Sequence, residues 1–152
     1  MRVALIASNA HHASVIAPLA RDLRREGSLT RILYGGALRP SWRPSGAWHI
    51  GWWVRWPALS RAALLEQAVG RALRGIDGVV ITSGRYHLDQ ACLRVCQARG
   101  IPCILYLSTF IVEQRWNEPE GHRHPRIKEY YDLGDRIFVY GQALRDQLIG
   151  HG

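Results

Sequence analysis

Residues 3–27 read VALIASNAHHASVIAPLARDLRREG, and the fold is decided in this stretch. Its first five residues form an unbroken apolar run, the mark of a short strand buried on both faces. Val15, Leu19 and Leu23 follow at i, i+4 spacing, which places apolar side chains along one side of a helix. Gly27 stops that helix, because glycine accepts the positive φ with which chains commonly leave a helix. A buried strand, a polar loop and an amphipathic helix make the first step of a layered α/β protein.

The alternation continues down the chain. A second strand is predicted over 31–34, stopped by Gly35 and Gly36. Within 41–57, SWRPSGAWHIGWWVRWP, the residues Trp48, Ile50, Trp52, Val54 and Trp56 alternate with His49, Gly51, Trp53 and Arg55, which predicts a third strand. Pro57 opens a helix marked by Leu65, Val69 and Leu73. Further strands are predicted over 78–82, 104–107 and 136–140, with helices over 88–99, closed by Gly100, and over 142–149. The polar stretch 108–135, with a short helix over 125–133, is too long for an idle connection. Residues 1–152 thus read as one Rossmann-like α/β domain: a mostly parallel sheet of about six strands with helices on both faces. Such sheets bind ligands beyond the carboxyl ends of their strands, which here means 8–12, 83–87 and 108–114.

Composition excludes several classes. An apolar content of 47% with 21% charged residues is globular, and 152 residues suffice for one core. No window offers the roughly 18 consecutive apolar residues of a spanning helix, and the N-terminus turns polar too soon for a signal peptide. The formal charge of +8 comes almost wholly from arginine, Lys128 being the only lysine. It favours phosphate-bearing partners, but no nucleic-acid-binding motif accompanies it, so a nucleic-acid partner is not expected. Cys92, Cys96 and Cys103 have no metal spacing and read as buried thiols. In NEPEGHRHP, Glu118, Glu120, His122 and His124 likewise lack a ligand spacing, so no metal is expected.

The first loop contains no glycine, and neither a G-x-G-x-x-G turn, a P-loop nor a G-x-S-x-G elbow occurs in the chain. What the loop carries is His11 and His12, between a strand end and a helix start. The positive potential of a helix N-terminus disfavours imidazolium, and a neutral imidazole there can act as a general base. The alternative is a pair of polar loop residues whose side chains cap the helix or face solvent.

Three segments resemble one family. ASNAHHASVIAPLARDLRREG is similar to the opening of glycosyltransferases of the two-Rossmann-domain GT-B architecture, with Leu19-Ala20-Arg21-Asp22-Leu23 in their helix frame. DLGDRIFVYGQALRDQLIGHG, residues 132–152, resembles the segment closing the N-terminal domain of many bacterial members, and DGVVITSG followed by ARGIPCILYLST has the family's rhythm. The resemblance implies the N-terminal, acceptor-side domain, with His12 at the catalytic-base position of the inverting members. In a retaining enzyme His12 would bind substrate instead. It further implies an acceptor cleft lined by Asn9, His11, Ser83, Arg85, Thr109 and Glu113. The nucleotide-sugar donor would be a substrate bound mainly by a C-terminal domain or partner subunit, with no other cofactor. The acceptor would be a glycan or lipid-linked sugar at the cell surface, and the location cytoplasmic, peripheral on the inner face of the membrane. Two departures stand out. Gly141 replaces the serine usual in the closing segment, and Thr82-Ser83-Gly84 lacks the aspartate that orients the histidine in plant-type members, leaving Asp89 or Glu113 to take that role. A non-catalytic, membrane-recruiting subunit and half of a sugar-nucleotide epimerase are the competing readings.

Five of the six tryptophans fall within 42–56. Trp48, Trp52 and Trp56 suit the inner face of a strand. Trp42 and Trp53, beside Arg43 and Arg55, suit either docking on an anionic membrane surface or stacking on a glycan.

Overall fold

The computed structural model describes residues 1–35, 47–49, 58–82, 86–107 and 134–139, with positions 141, 142, 145, 146 and 149. Six strands form one all-parallel sheet: β1 (Arg2–Ala7), β2 (Leu29–Tyr34), β3 (Ala47–His49), β4 (Gly78–Ile81), β5 (Cys103–Leu107) and β6 (Arg136–Val139). Their spatial order is β3-β2-β1-β4-β5-β6. The chain therefore builds outward from β1 in one direction and then resumes on its other side, creating a topological switch point between β1 and β4.

β1 is buried from Val3 to Ala7 because layers cover both faces of the sheet. Val3, Leu5 and Ala7 pack with Ala13, Ile16 and Ala20 of helix α1 (Ala10–Arg25). Ala4 and Ile6 belong to the opposite layer, with Val69 and Leu73 from the α2 side (α2, Ala58–Ala72) and Leu88, Cys92 and Leu93 of α3 (His87–Arg99). The predicted elements agree closely with these bounds. The third strand is described only over Ala47–His49, and the remainder of the tryptophan segment and of 108–135 lies outside the described residues. Positions 142, 145, 146 and 149 are helical, within the last predicted helix.

The side of α1 marked by Leu19 and Leu23 packs against the core, beside a more deeply buried line. Val15, Leu19 and Leu23 are only partly buried and flank the inward line, which runs through His12, Ile16 and Ala20. The helix meets the sheet through Ala13, Ile16 and Ala20, while Leu19 and Leu23 pack at the margin. This rotation makes His12, and not His11, the first inward residue of α1.

Two aspartates hold the sheet's amino end. The Arg2 N–H donates to Asp77 Oδ2 at 2.7 Å while the Asp77 N–H donates to the Arg2 carbonyl at 2.8 Å. Cys103 and Asp135 repeat the arrangement at 2.6 and 2.9 Å. Each carboxylate satisfies the leading N–H of one strand from the residue before its neighbour, β4 beside β1 and β6 beside β5. Arginines gather at the same end, where the helices expose their last carbonyls. Arg31 donates to the carbonyls of Ala72 and Arg74, Arg2 to that of Gly75 at 3.3 Å, and Arg99 to that of Gly70 at 2.5 Å. A Cβ at Gly70 would lie 2.6 Å from the Arg99 guanidinium, so a larger residue there would displace the arginine and this contact.

Replacing Asp135 by alanine leaves the N–H of fully buried Cys103 without its charged acceptor. The expected loss is about 1–3 kcal/mol in urea unfolding. Asp77→Ala should cost less, because water can reach the Arg2 N–H.

Candidate functional site

The carboxyl ends of β1 and β4 are the place to look for chemistry, and three side-chain links join them. At the end of β1, Asn9 caps α1: its backbone is extended and its Oδ1 accepts from the His12 N–H at 2.8 Å. With its oxygen so engaged, Asn9 turns its amide nitrogen outward and donates to the Tyr86 hydroxyl at 2.9 Å. Ser8, also buried, donates its hydroxyl to Asp89 Oδ1, and Asp89 Oδ2 accepts from the Tyr86 N–H at 3.4 Å. Asp89 is completely buried in the first turn of α3, where a helix N-terminus favours negative charge. Thr82, at the end of β4, donates to the Ile6 carbonyl at 3.4 Å.

His12 lies within this frame. It is 6% exposed, its ring meets that of Tyr86 edge-on with centroids 5.3 Å apart, and its buried Nδ1 has no hydrogen-bond partner among the described residues. Burial, with a smaller contribution from His11, pushes its pKa down to about 4. His12 is therefore neutral at pH 7, and one of its ring nitrogens offers a lone pair. His11 is exposed, its ring 6.3 Å from that of His12, so the loop separates one inward histidine from one outward.

The structure thus brings together one of the predicted lining residues, Asn9, and the predicted base, His12, and turns His11 to the surface. Ser83, Arg85, Thr109 and Glu113 lie outside the described residues, as do Trp42, Arg43, Trp53, Arg55 and the 118–124 loop. Asp89, weighed as the carboxylate orienting the histidine, instead bonds Ser8 and the Tyr86 N–H. Ser8 and Tyr86 fell within the predicted loops without being singled out. For Tyr86 the available signal was an aromatic residue just before a helix at a strand's carboxyl end.

Cys92, Cys96 and Cys103 are buried free thiols, as the sequence indicated. Burial raises the Cys92 pKa, and a hydrogen bond with Cys96 followed by burial raises that of Cys103, which keeps both protonated and unreactive. Among the described residues no group of three or more His, Cys, Asp or Glu could hold a metal ion, and no helix is long and apolar enough to cross a membrane.

No protein-family model and no curated protein matches the chain. Solved structures do. The putative UDP-N-acetylglucosamine 2-epimerase of Listeria monocytogenes superposes with a TM-score of 0.76 at 13% identity, over 99% of this chain and 42% of that one. The UDP-GlcNAc 2-epimerase of Neisseria meningitidis, solved with UDP-GlcNAc bound, gives 0.76 at 12%, over 99% and 43%. MurG of Acinetobacter baumannii gives 0.66 at 11%, over 93% and 41%. The fold is accordingly Rossmann-like and of the kind found in GT-B proteins, and the chain spans less than half the length of these neighbours.

Because folded His12 resists protonation, the unfolded chain binds one more proton between pH 6.5 and about 4. Stability is expected to fall as pH drops through that window, by at most about 3 kcal/mol from this residue. Urea unfolding at a series of pH values checks it: His12→Leu should flatten the slope there. Titration of the His12 imidazole itself near 6.5, assigned in the NMR spectrum by its loss in His12→Leu, would contradict the buried, neutral assignment.

Proposed function

We propose that this chain is the acceptor-side Rossmann-like domain of a GT-B glycosyltransferase. It would supply the acceptor site and the base for transfer of a sugar from a nucleotide-sugar donor to an acceptor hydroxyl. The observation that carries the reading is His12: neutral, with a buried Nδ1 that has no partner among the described residues, and placed at the switch point, at the start of α1. The acceptor hydroxyl would give its proton to His12 as its oxygen bonds the sugar's anomeric carbon, the bond from that carbon to phosphate breaking and the nucleotide diphosphate departing. An imidazole with so low a pKa is always ready to accept a proton but is a weak base. Negative charge on an arriving diphosphate would raise its pKa toward neutrality and strengthen it. The donor would be bound chiefly by a second domain or subunit, in keeping with the share of its neighbours that this chain spans.

A second reading is half of a sugar-nucleotide epimerase, favoured by the epimerases among the structural neighbours. A single neutral histidine suits one proton abstraction from a hydroxyl better. Asp89, a carboxylate at this crevice, is completely buried and accepts from Ser8 and the Tyr86 N–H. Trp42, Trp53, Arg43 and Arg55 are proposed to contact an anionic membrane surface or the glycan itself, which would place the protein peripherally on the cytoplasmic side.

In the protein together with its donor-binding half, His12→Ala should lower turnover about a hundred-fold or more and change acceptor KM far less. His11→Ala should be milder. Near-normal turnover in a folded His12→Ala protein would remove the base and favour a retaining mechanism. Residues 1–152 alone should bind nucleotide sugars weakly or not at all, and micromolar binding by calorimetry would count against the division of labour. Co-sedimentation with anionic vesicles, reversed by salt and weakened by replacing Trp42 and Trp53 with serine, tests the membrane contact.

A further inference from the structure

Tyr86 is the residue of the crevice for which neither the fold nor the base accounts. It is 40% exposed, and its aromatic ring lies against His12. Among the described residues its hydroxyl bonds the Asn9 amide, and the direction of that bond is fixed from elsewhere. The cap at the start of α1 takes Asn9 Oδ1 for the His12 N–H, so the group facing Tyr86 is the Asn9 amide nitrogen, which can only donate. The phenolic oxygen is therefore an acceptor in this bond, and its own proton points elsewhere, with no acceptor among the described residues.

We propose that Tyr86 is a specificity-determining ligand contact: its O–H donates to an oxygen of a neutral, polyhydroxylated acceptor, beside the hydroxyl that faces His12. The crevice then presents one directed donor and one imidazole lone pair on adjoining rings. Neighbouring oxygens of a sugar ring meet that pattern, one accepting from Tyr86 and the next donating to His12. The Asn9 amide makes Tyr86 a fixed donor rather than a rotor, and the exposed part of the ring is apolar surface against which a sugar face can pack. This rests on the acceptor-side reading above, and it names a different residue and a different kind of interaction.

The contact can be separated from a merely structural latch. Tyr86→Phe removes the proton and the latch together. Asn9→Asp keeps the helix cap and the latch, but the carboxylate it introduces accepts from Tyr86 and consumes the proton the ligand would use. The probes are the methyl glycosides of glucose, galactose and N-acetylglucosamine, titrated into residues 1–152 and followed by amide NMR shifts. For the glycoside that binds, each variant is expected to weaken binding about three- to ten-fold, the scale of one neutral hydrogen bond. The double variant should weaken it no further than either alone, because both remove the same donor. Tyr86→Phe binding like the parent overturns the proposal and leaves the acceptor reading standing, as does Asn9→Asp binding like the parent or additivity in the double variant. If Tyr86→Phe does not fold, the Asn9→Asp result decides alone. Failure of the parent to bind any of the three glycosides overturns both readings together.

Discussion

The site depends on one hydrogen bond, from the His12 N–H to Asn9 Oδ1 at 2.8 Å. By satisfying an otherwise orphaned donor of the first helical turn, it sets where α1 begins. Where α1 begins decides which residue falls on its inward line, and hence that His12 is buried while His11 is not. The same bond orients the Asn9 amide, which ties the loop after β1 to the loop after β4 through Tyr86. Helix phase, histidine burial and the polarity of the crevice all follow from this cap.

The opposite end of the sheet obeys a complementary rule. In an all-parallel sheet with helical crossovers, every helix ends where the strands begin, so unpaired carbonyls and negative dipole ends collect there. Arg2, Arg31 and Arg99 donate to those carbonyls, and Arg24 and Arg25 occupy the last turn of α1. Part of the arginine responsible for the high net charge thus has a structural use, and a basic composition in this fold need not by itself announce a polyanionic partner.

How much of this could be read in the chain follows from the range of the interactions. The strands and helices were legible because local residues specify them: the apolar run of β1, Gly27 and Gly100 at positive φ, the i, i+4 repeats of α1 and α2. The phase of α1 was only partly legible, since its inward line joins Ile16 to Ala20 and a histidine that count for little in an apolar pattern, while Leu19 and Leu23 mark its margin. His12 was found through the resemblance and its place between a strand and a helix. The crevice around it was not, because Tyr86 meets Asn9 from 77 residues away, and strand alternation alone does not show that β4 lies beside β1. Asp135 falls within the family-like closing segment, but its task, holding the N–H of Cys103, is visible only when β5 and β6 are paired.

The central position of β1 bears on how the molecule assembles. This strand is synthesised well before β4, which completes one of its two edges, and its leading N–H bonds to Asp77, 75 residues later. Until that region emerges, the most apolar strand of the chain has only β2 with which to pair, leaving one row of backbone donors and acceptors open to water or to another chain. Sheets closed by such distant pairings fold slowly and expose sticky edges on the way. The open edge of β1 is therefore an aggregation hazard on the way to the folded sheet, and synthesis through β4 is the step that relieves it.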